Sequence, residues 1–114
     1  MTRLAVPQAE WRGFFDRLSR ALLGKRAEVE VASLDLGDQV VAEWLPLLGI
    51  TYESRDDLLD VAFDGGTSHL IRHPREIVVE EEASGVGSVA VVDADGARQV
   101  VRFKDPLVLP PAQG

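Results

Sequence analysis

Histidine supplies the first candidates for chemistry, because imidazole binds metals and transfers protons near neutral pH. The chain has two, His69 and His73. Four residues apart on a helix, they would share a face and could bind zinc. The local pattern is that of a β-strand, in which they lie about 13 Å apart at ~3.3 Å per residue. We therefore interpret both as partly exposed strand residues and predict no metal site.

Three other motifs imitate functional sequences. Asp93–Gly96 resembles the start of a calcium loop, but Lys104 stands where the closing Glu is required, and a hairpin turn explains the same residues. Gly65–Ser68 could cradle an anion, but it leads into a strand rather than into a helix N-terminus. Ser68 and His69 are strand neighbours that point to opposite faces, which excludes a catalytic pair. We predict no catalytic residue and no cofactor.

The run Glu80–Glu82 is the longest run of like charge in the chain. On a strand, Glu81 faces away from Glu80 and Glu82. The run fits either a solvated sheet edge that resists aggregation or a docking site for a basic partner. Both interpretations stay open at this point.

The two tryptophans receive different interpretations. Trp11 belongs to the apolar stripe of a helix and is predicted to be core. Trp44 is a candidate contact residue, because Pro46 can splay its strand. The predicted interaction surface comprises Trp44, Glu80, Glu82, His69 and His73.

Composition limits the class of protein. The chain has 114 residues, 46% of them hydrophobic and 27% charged, which predicts a single globular domain over 1–114. It has no cysteine, which excludes disulfides, thiolate nucleophiles and the usual structural zinc sites. No signal peptide is recognisable, and the longest nearly apolar run, Trp44–Ile50, is far shorter than the ~20 residues of a membrane helix. We expect a cytoplasmic protein without membrane contact.

Charge limits the choice of partner. The net charge is −7, so nucleic acid would be repelled unless a basic patch were segregated, and the basic residues are scattered. The excess of Arg over Lys, with abundant Ala and Val, suggests a GC-rich bacterial genome. We expect a protein partner or a second copy of the chain, and no nucleic acid.

The pattern of apolar residues predicts an α+β fold. A stripe at spacings of three and four predicts a helix over about 7–23. After Arg26 the period changes to two, which predicts about seven short strands within 27–104, with 39–45 and 50–53 as separate strands. Short connections favour a curved, mainly antiparallel sheet packed on the helix, or a partly closed barrel. The predicted core is Phe14, Phe15, Leu18, Leu22, Val29, Val31, Leu59, Val61 and Phe63.

The tail 105–114 is predicted to be extended, because prolines flank three large apolar residues. Leu107 and Leu109 would face one way and cover an open end of the sheet, in the same chain or in a dimer mate.

Several short motifs carry a resemblance to a known group of proteins. They are Glu10-Trp11, Phe14-Phe15-Asp16, Leu23-Gly24, Gly49-Ile50-Thr51-Tyr52, Asp57-Leu58-Leu59-Asp60-Val61, His69-Leu70-Ile71-x-x-Pro74, Asp93-x-Asp95-Gly96 and Pro106-Leu107-x-Leu109-Pro110. The chain resembles a bacterial family of small single-domain proteins of unknown function. This resemblance spans nearly the whole chain and implies no activity, cofactor or catalytic residue.

These observations favour a small accessory module, not an enzyme, that acts through protein contacts. The alternative is a small enzyme or ligand-binding protein with a pocket between helix and sheet. A pocket of ~300 Å³ or more with converging carboxylates and His69 or His73 would favour the alternative. A filled core with an exposed apolar patch would favour the module.

Overall fold

The computed structural model describes residues 2–33 and 37–109. It contains one α-helix, one 3-10 turn and eight strands. In chain order these are β1 (Thr2–Ala5), the 3-10 turn (Gln8–Glu10), α1 (Trp11–Leu22), β2 (Arg26–Ser33), β3 (Gly37–Glu53), β4 (Leu58–Phe63), β5 (Ser68–Arg72), β6 (Pro74–Glu82), β7 (Gly85–Asp93) and β8 (Arg98–Leu107).

The helix forms because its apolar side chains make one stripe, which is buried against the sheet. It begins at Trp11 rather than at residue 7, because Pro7 is extended and a 3-10 turn precedes the α-helical part. It ends at Leu22, since Leu23 has left the helical region and Gly24 is left-handed. Within the described residues, no helix is long and apolar enough to cross a membrane.

The strands form one antiparallel sheet in the order β1-β6-β7-β8-β2-β3-β4-β5. The order is linear and β1 does not pair with β5, so the sheet is not closed and the alternative of a partly closed barrel is wrong. The sequence pattern also missed β1, whose four exposed residues carry no alternation of polar and apolar side chains. Mainly antiparallel sheet with one helix is confirmed.

Strand β3 is a single 17-residue strand, so the prediction of two strands at 39–45 and 50–53 is wrong. The strand changes its neighbour at Pro46. Residues 37–46 pair with β2, whereas residues 47–53 pair with β4. Proline has no N–H to donate, so it often ends a strand. Here the pairing with β2 ends at Pro46, but the pairing with β4 begins at Leu47, so the strand continues without a break.

The core lies between α1 and the curved sheet, and its buried side chains form one cluster. Eight of the nine residues predicted for the core are buried, and Val31 is the exception. Val31 is half-buried because it lies near the far end of the β2–β3 hairpin, opposite Gln39. Trp11 is 2% exposed, as predicted.

The C-terminal segment packs onto the same chain. Leu107 is 2% exposed and Leu109 packs against the core, whereas Val108 between them is 77% exposed. Leu107 pairs with Val86 of β7 beyond the point where β2 stops accompanying β8. The two leucines therefore face one way, as predicted. The remainder of the predicted tail, residues 110–114, lies outside the described residues.

Candidate functional site

A row of polar side chains crosses the face of the sheet opposite α1. Strand pairing aligns Arg3, Glu80, Ser88, Arg102 and Glu28 on five adjacent strands. Their strand neighbours on the other face, such as Val79, Val89 and Val101, belong to the core. Because side chains alternate along a strand, the polar row must point away from the helix.

A groove of about 330 Å³ lies along this row, beside the irregular pairing of β7 with β8. We call it the outer groove. Six residues matter to its chemistry: Trp44, Glu80, Glu82, Ser88, Arg102 and Lys104. Trp44 reaches it because β3 departs from regular pairing there, with a left-handed φ of 50°. Arg26 holds this bend by donating to the Trp44 carbonyl at 3.1 Å.

The charges of the outer groove are unevenly neutralised. The Arg102 guanidinium faces two carboxylates of β2, Glu30 at 3.3 Å and Glu28 at 3.8 Å. On the other wall, Arg3 lies 3.8 Å from the Glu80 carboxylate. Glu82 accepts a long hydrogen bond of 3.4 Å from Ser84. Glu80, Glu81 and Glu82 outnumber the two cations Arg3 and Lys104 on this side of the groove, so the Glu80–Glu82 wall keeps an excess of negative charge.

The two histidines lie elsewhere, in two hydrogen-bonded networks. His73 Nδ1 lies 3.2 Å from Asp57 Oδ2, and Tyr52 donates to Asp57 Oδ1 at 2.8 Å. Asp57 and His73 both have left-handed backbones, and the His73 N–H donates to the Asp57 carbonyl at 2.8 Å. These bonds join the β3–β4 turn to the β5–β6 corner. Burial and the Asp57 carboxylate raise the pKa of Tyr52, although a hydrogen bond from Gln8 acts in the opposite direction.

His69 connects the edge strand β5 to the β7–β8 hairpin. Its Nε2 bonds Gln99 Oε1, and Gln99 Nε2 donates to Asp93 Oδ2 at 3.0 Å. The other oxygen of Asp93 accepts the N–H groups of Asp95 and Ala97. Asp93 therefore closes its own hairpin, as the turn interpretation predicted. Because Gln99 is on β8, this contact also shows how strongly the sheet curls.

The structure thus divides the predicted interaction surface. It brings Trp44, Glu80 and Glu82 to one groove, whereas neither histidine lines that groove. His69 lies on β5 as predicted, but His73 lies at the corner between β5 and β6 with a left-handed backbone, so the prediction of a strand residue is wrong for His73. Glu80 and Glu82 line the same groove, but the register shift after Glu80 interrupts the alternation, and Glu81, which was predicted to face away, lines that groove as well. Sequence reasoning missed Ser88 and Arg102, because their place beside Glu80 depends on the pairing of β6, β7 and β8, which the local pattern does not encode.

Comparison with known proteins finds a family model and a relative that each match nearly the whole chain. A family model described as a family of unknown function, DUF5335, matches residues 2–112. The chain belongs to this family. An uncharacterised protein of Aquifex aeolicus (strain VF5) is 40% identical over 110 residues, which covers 96% of this chain and 99% of the relative. No solved structure matches the chain. The expected resemblance to a bacterial family of small proteins is confirmed, and the DUF5335 match includes β1 and the Leu107–Leu109 segment.

Proposed function

We propose that this DUF5335 chain is a non-enzymatic accessory module that binds a partner protein at the outer groove. One observation carries the proposal: Trp44, Glu80 and Glu82, which come from strands distant in sequence, line the same groove. Tryptophan is enriched among residues that dominate binding energy at protein interfaces. The acidic wall favours a partner with a basic surface.

The platform under the groove is suited to recognition without large rearrangement. Strands β6, β7 and β8 are central members of the sheet, and the core packs beneath them. Sites on strands hold side chains more accurately than sites on loops. We place the module in the cytoplasm, with which the absence of cysteine is compatible.

The proposal is tested by affinity capture from a lysate of the source bacterium, with mass spectrometry of the bound proteins. The baits are the unaltered chain, Trp44→Ala, and the double variant Glu80→Gln/Glu82→Gln. The control bait is Glu53→Gln/Asp64→Asn, which changes the net charge equally at exposed positions away from the groove. We expect a partner that the unaltered chain and the control capture and both groove variants lose. A set of captured proteins that is identical for all four baits contradicts the proposal.

The alternative, a ligand-binding protein, has its own supporting observation. A groove of about 460 Å³ lies between the first half of α1 and the sheet, lined by Phe14, Val79, Val86 and Leu107 among others. Its size and apolar lining resemble those of small-molecule sites. Leu4→Trp at its exposed rim would narrow it without altering the core. A small apolar compound that raises the melting temperature of the unaltered chain but not of Leu4→Trp would favour this alternative.

The enzymatic form of that alternative has less support. The concavity at His73 has a volume of about 480 Å³, which exceeds the ~300 Å³ expected of a small-molecule pocket. Among the described residues its lining contains one carboxylate, Asp57, rather than a converging pair, and that carboxylate already bonds Tyr52 and faces His73. Acid–base catalysis by a carboxylate pair would need a second acidic group there.

A further inference from the structure

Ser88 is the feature of the outer groove that its structural role does not explain. It is 9% exposed, and its hydroxyl makes no hydrogen bond to another described residue, although the oxygen is not closed off from solvent. Since Ser88 lines the groove, its hydroxyl remains within reach of a group that enters there. Ser88 therefore offers a hydroxyl at the floor of the groove to a polar group that enters it.

The neighbours of Ser88 determine the charge of that group. Glu80 lies directly across the strand pair on one side and Arg102 on the other. Arg102 faces Glu28 and Glu30 on the strand beyond, so its charge is already opposed. Glu80 and Glu82 have no cation closer than the 3.8 Å contact of Glu80 with Arg3 in the described residues. Lys104 also lines the groove, but the three carboxylates of Glu80, Glu81 and Glu82 outnumber it, so a cationic group is the better complement to this floor.

Trp44 distinguishes between the two cationic side chains of proteins. An indole face attracts a cation, and it also stacks on a flat guanidinium. A guanidinium presents five N–H donors in one plane, whereas an ammonium is a compact, strongly hydrated charge. Two carboxylates and one hydroxyl oxygen provide acceptors for several of those donors at once.

We propose that the outer groove binds an arginine side chain of an extended partner segment. The guanidinium donates to the carboxylates of Glu80 and Glu82 and to Ser88 Oγ, and it stacks on the indole of Trp44. This inference rests on the proposed function, because it specifies what the partner presents to the same groove. Lysine and an uncharged polar residue at that position are the competing ligands.

The test uses three synthetic peptides, each a capped Ala-Gly segment with a central Arg, Lys or Gln. Nuclear magnetic resonance titration of the full chain follows the indole N–H of Trp44 and the backbone amide of Ser88. We expect both resonances to shift with the Arg peptide, a weaker response to Lys and none to Gln. Equal affinity for the Arg and Lys peptides, or no shift at Trp44 and Ser88, overturns the inference.

Three variants show which groups are responsible. Glu80→Gln/Glu82→Gln is expected to weaken Arg-peptide binding by about tenfold, through the loss of charge-assisted hydrogen bonds. Ser88→Ala removes one acceptor at constant charge and is expected to weaken it by roughly three- to fivefold. Glu53→Gln/Asp64→Asn changes the same net charge away from the groove and should leave the affinity nearly unchanged. If this control weakens binding as much as the groove variant, the attraction is only long-range and the inference fails.

The outcome separates this inference from the proposed function. Partner capture that depends on the groove, together with no binding of the Arg peptide, overturns the arginine inference and leaves the proposed function standing. Capture that is independent of the groove, together with no peptide binding, overturns both. Peptide binding with the stated variant pattern supports the inference even before the partner is identified.

Discussion

The hydroxyl of Ser19 satisfies both main-chain groups of Ile50. It donates to the Ile50 carbonyl at 2.8 Å and accepts the Ile50 N–H at 3.0 Å. Strand β2 pairs with β3 only as far as Pro46, so at Ile50 no strand lies on that side of β3. Helix α1 therefore takes the place of the missing strand, and one side chain supplies the hydrogen bonds that a ladder would have made.

We predict that Ser19→Ala lowers the free energy of unfolding by about 1–3 kcal/mol, because it leaves partly buried main-chain groups without partners. Chemical denaturation followed by tryptophan fluorescence measures the change. Arg20→Ala, at an exposed neighbouring position of the same helix, is the control and should stay within about 0.5 kcal/mol of the unaltered chain. Equal stability of the two variants would contradict the role given to Ser19.

Both the backbone conformation at position 85 and the atoms around it require glycine there. Its φ is +132°, and a Cβ built on it would overlap the backbone carbonyl of Leu107. We predict that Gly85→Ala destabilises the fold by more than about 2 kcal/mol, since strain and overpacking act together. At Gly87 a Cβ would meet nothing closer than 3.5 Å. Gly87→Ala should therefore retain most of the stability. Thermal unfolding of both variants shows whether glycine is required at position 85 in particular or at any glycine of this strand.

The sequence predicted those parts of the fold that local periodicity encodes. The helix stripe from Phe14 to Leu22 and the alternation through Leu59, Val61 and Phe63 specify their elements without reference to the rest of the chain. The sequence did not predict β3 as one long strand, because the part after Pro46 is held by pairing with β4. Strand β4 lies later in the sequence, and local periodicity does not show that it pairs there. Barrel closure is likewise a property of strand order, which alternation does not determine.

The candidate site was predictable to a smaller extent. Residue type and alternation selected Trp44, Glu80 and Glu82, but their meeting depends on the pairing of strands that are far apart in the chain. Nothing in the sequence distinguishes Ser88 from other serines in strands. Its place in the groove follows only from the strands that pair with β7. His69 and His73 were candidates by type alone, and the structure uses both in networks that join loops and strands.

The C-terminal segment offers a matched pair of variants. Leu107 is 2% exposed and the adjacent Val108 is 77% exposed. We predict that Leu107→Ala lowers the free energy of unfolding by about 2–4 kcal/mol, whereas Val108→Ala stays within about 0.5 kcal/mol. Urea denaturation of both variants measures the difference. Similar small losses for both would mean that the segment is not docked on the core in solution.

Tyr52 allows a titration test of the network with Asp57. It is the one tyrosine of the chain, so the ultraviolet absorbance of tyrosinate reports on it alone. Burial, then the hydrogen bond and charge of Asp57, raise its pKa above the ordinary tyrosine value of 10.0. We expect the folded chain to titrate at higher pH than the urea-unfolded chain. Asp57→Asn should bring the two titrations closer together, because it removes the charge but not the burial.

The same shift predicts how stability depends on alkaline pH. Between the two pKa values the unfolded chain has lost the tyrosine proton and the folded chain still holds it, so the unfolded state binds fewer protons and stability falls as pH rises. The contribution is therefore complete below pH 10 and disappears as pH increases through the raised folded pKa. Tyr52→Phe removes this component and should flatten the alkaline limb of the stability profile, although it leaves Asp57 without its 2.8 Å donor and lowers stability near neutral pH. Denaturation measured at several pH values on both chains tests this, and an alkaline limb that is equally steep in Tyr52→Phe would assign the loss to other groups.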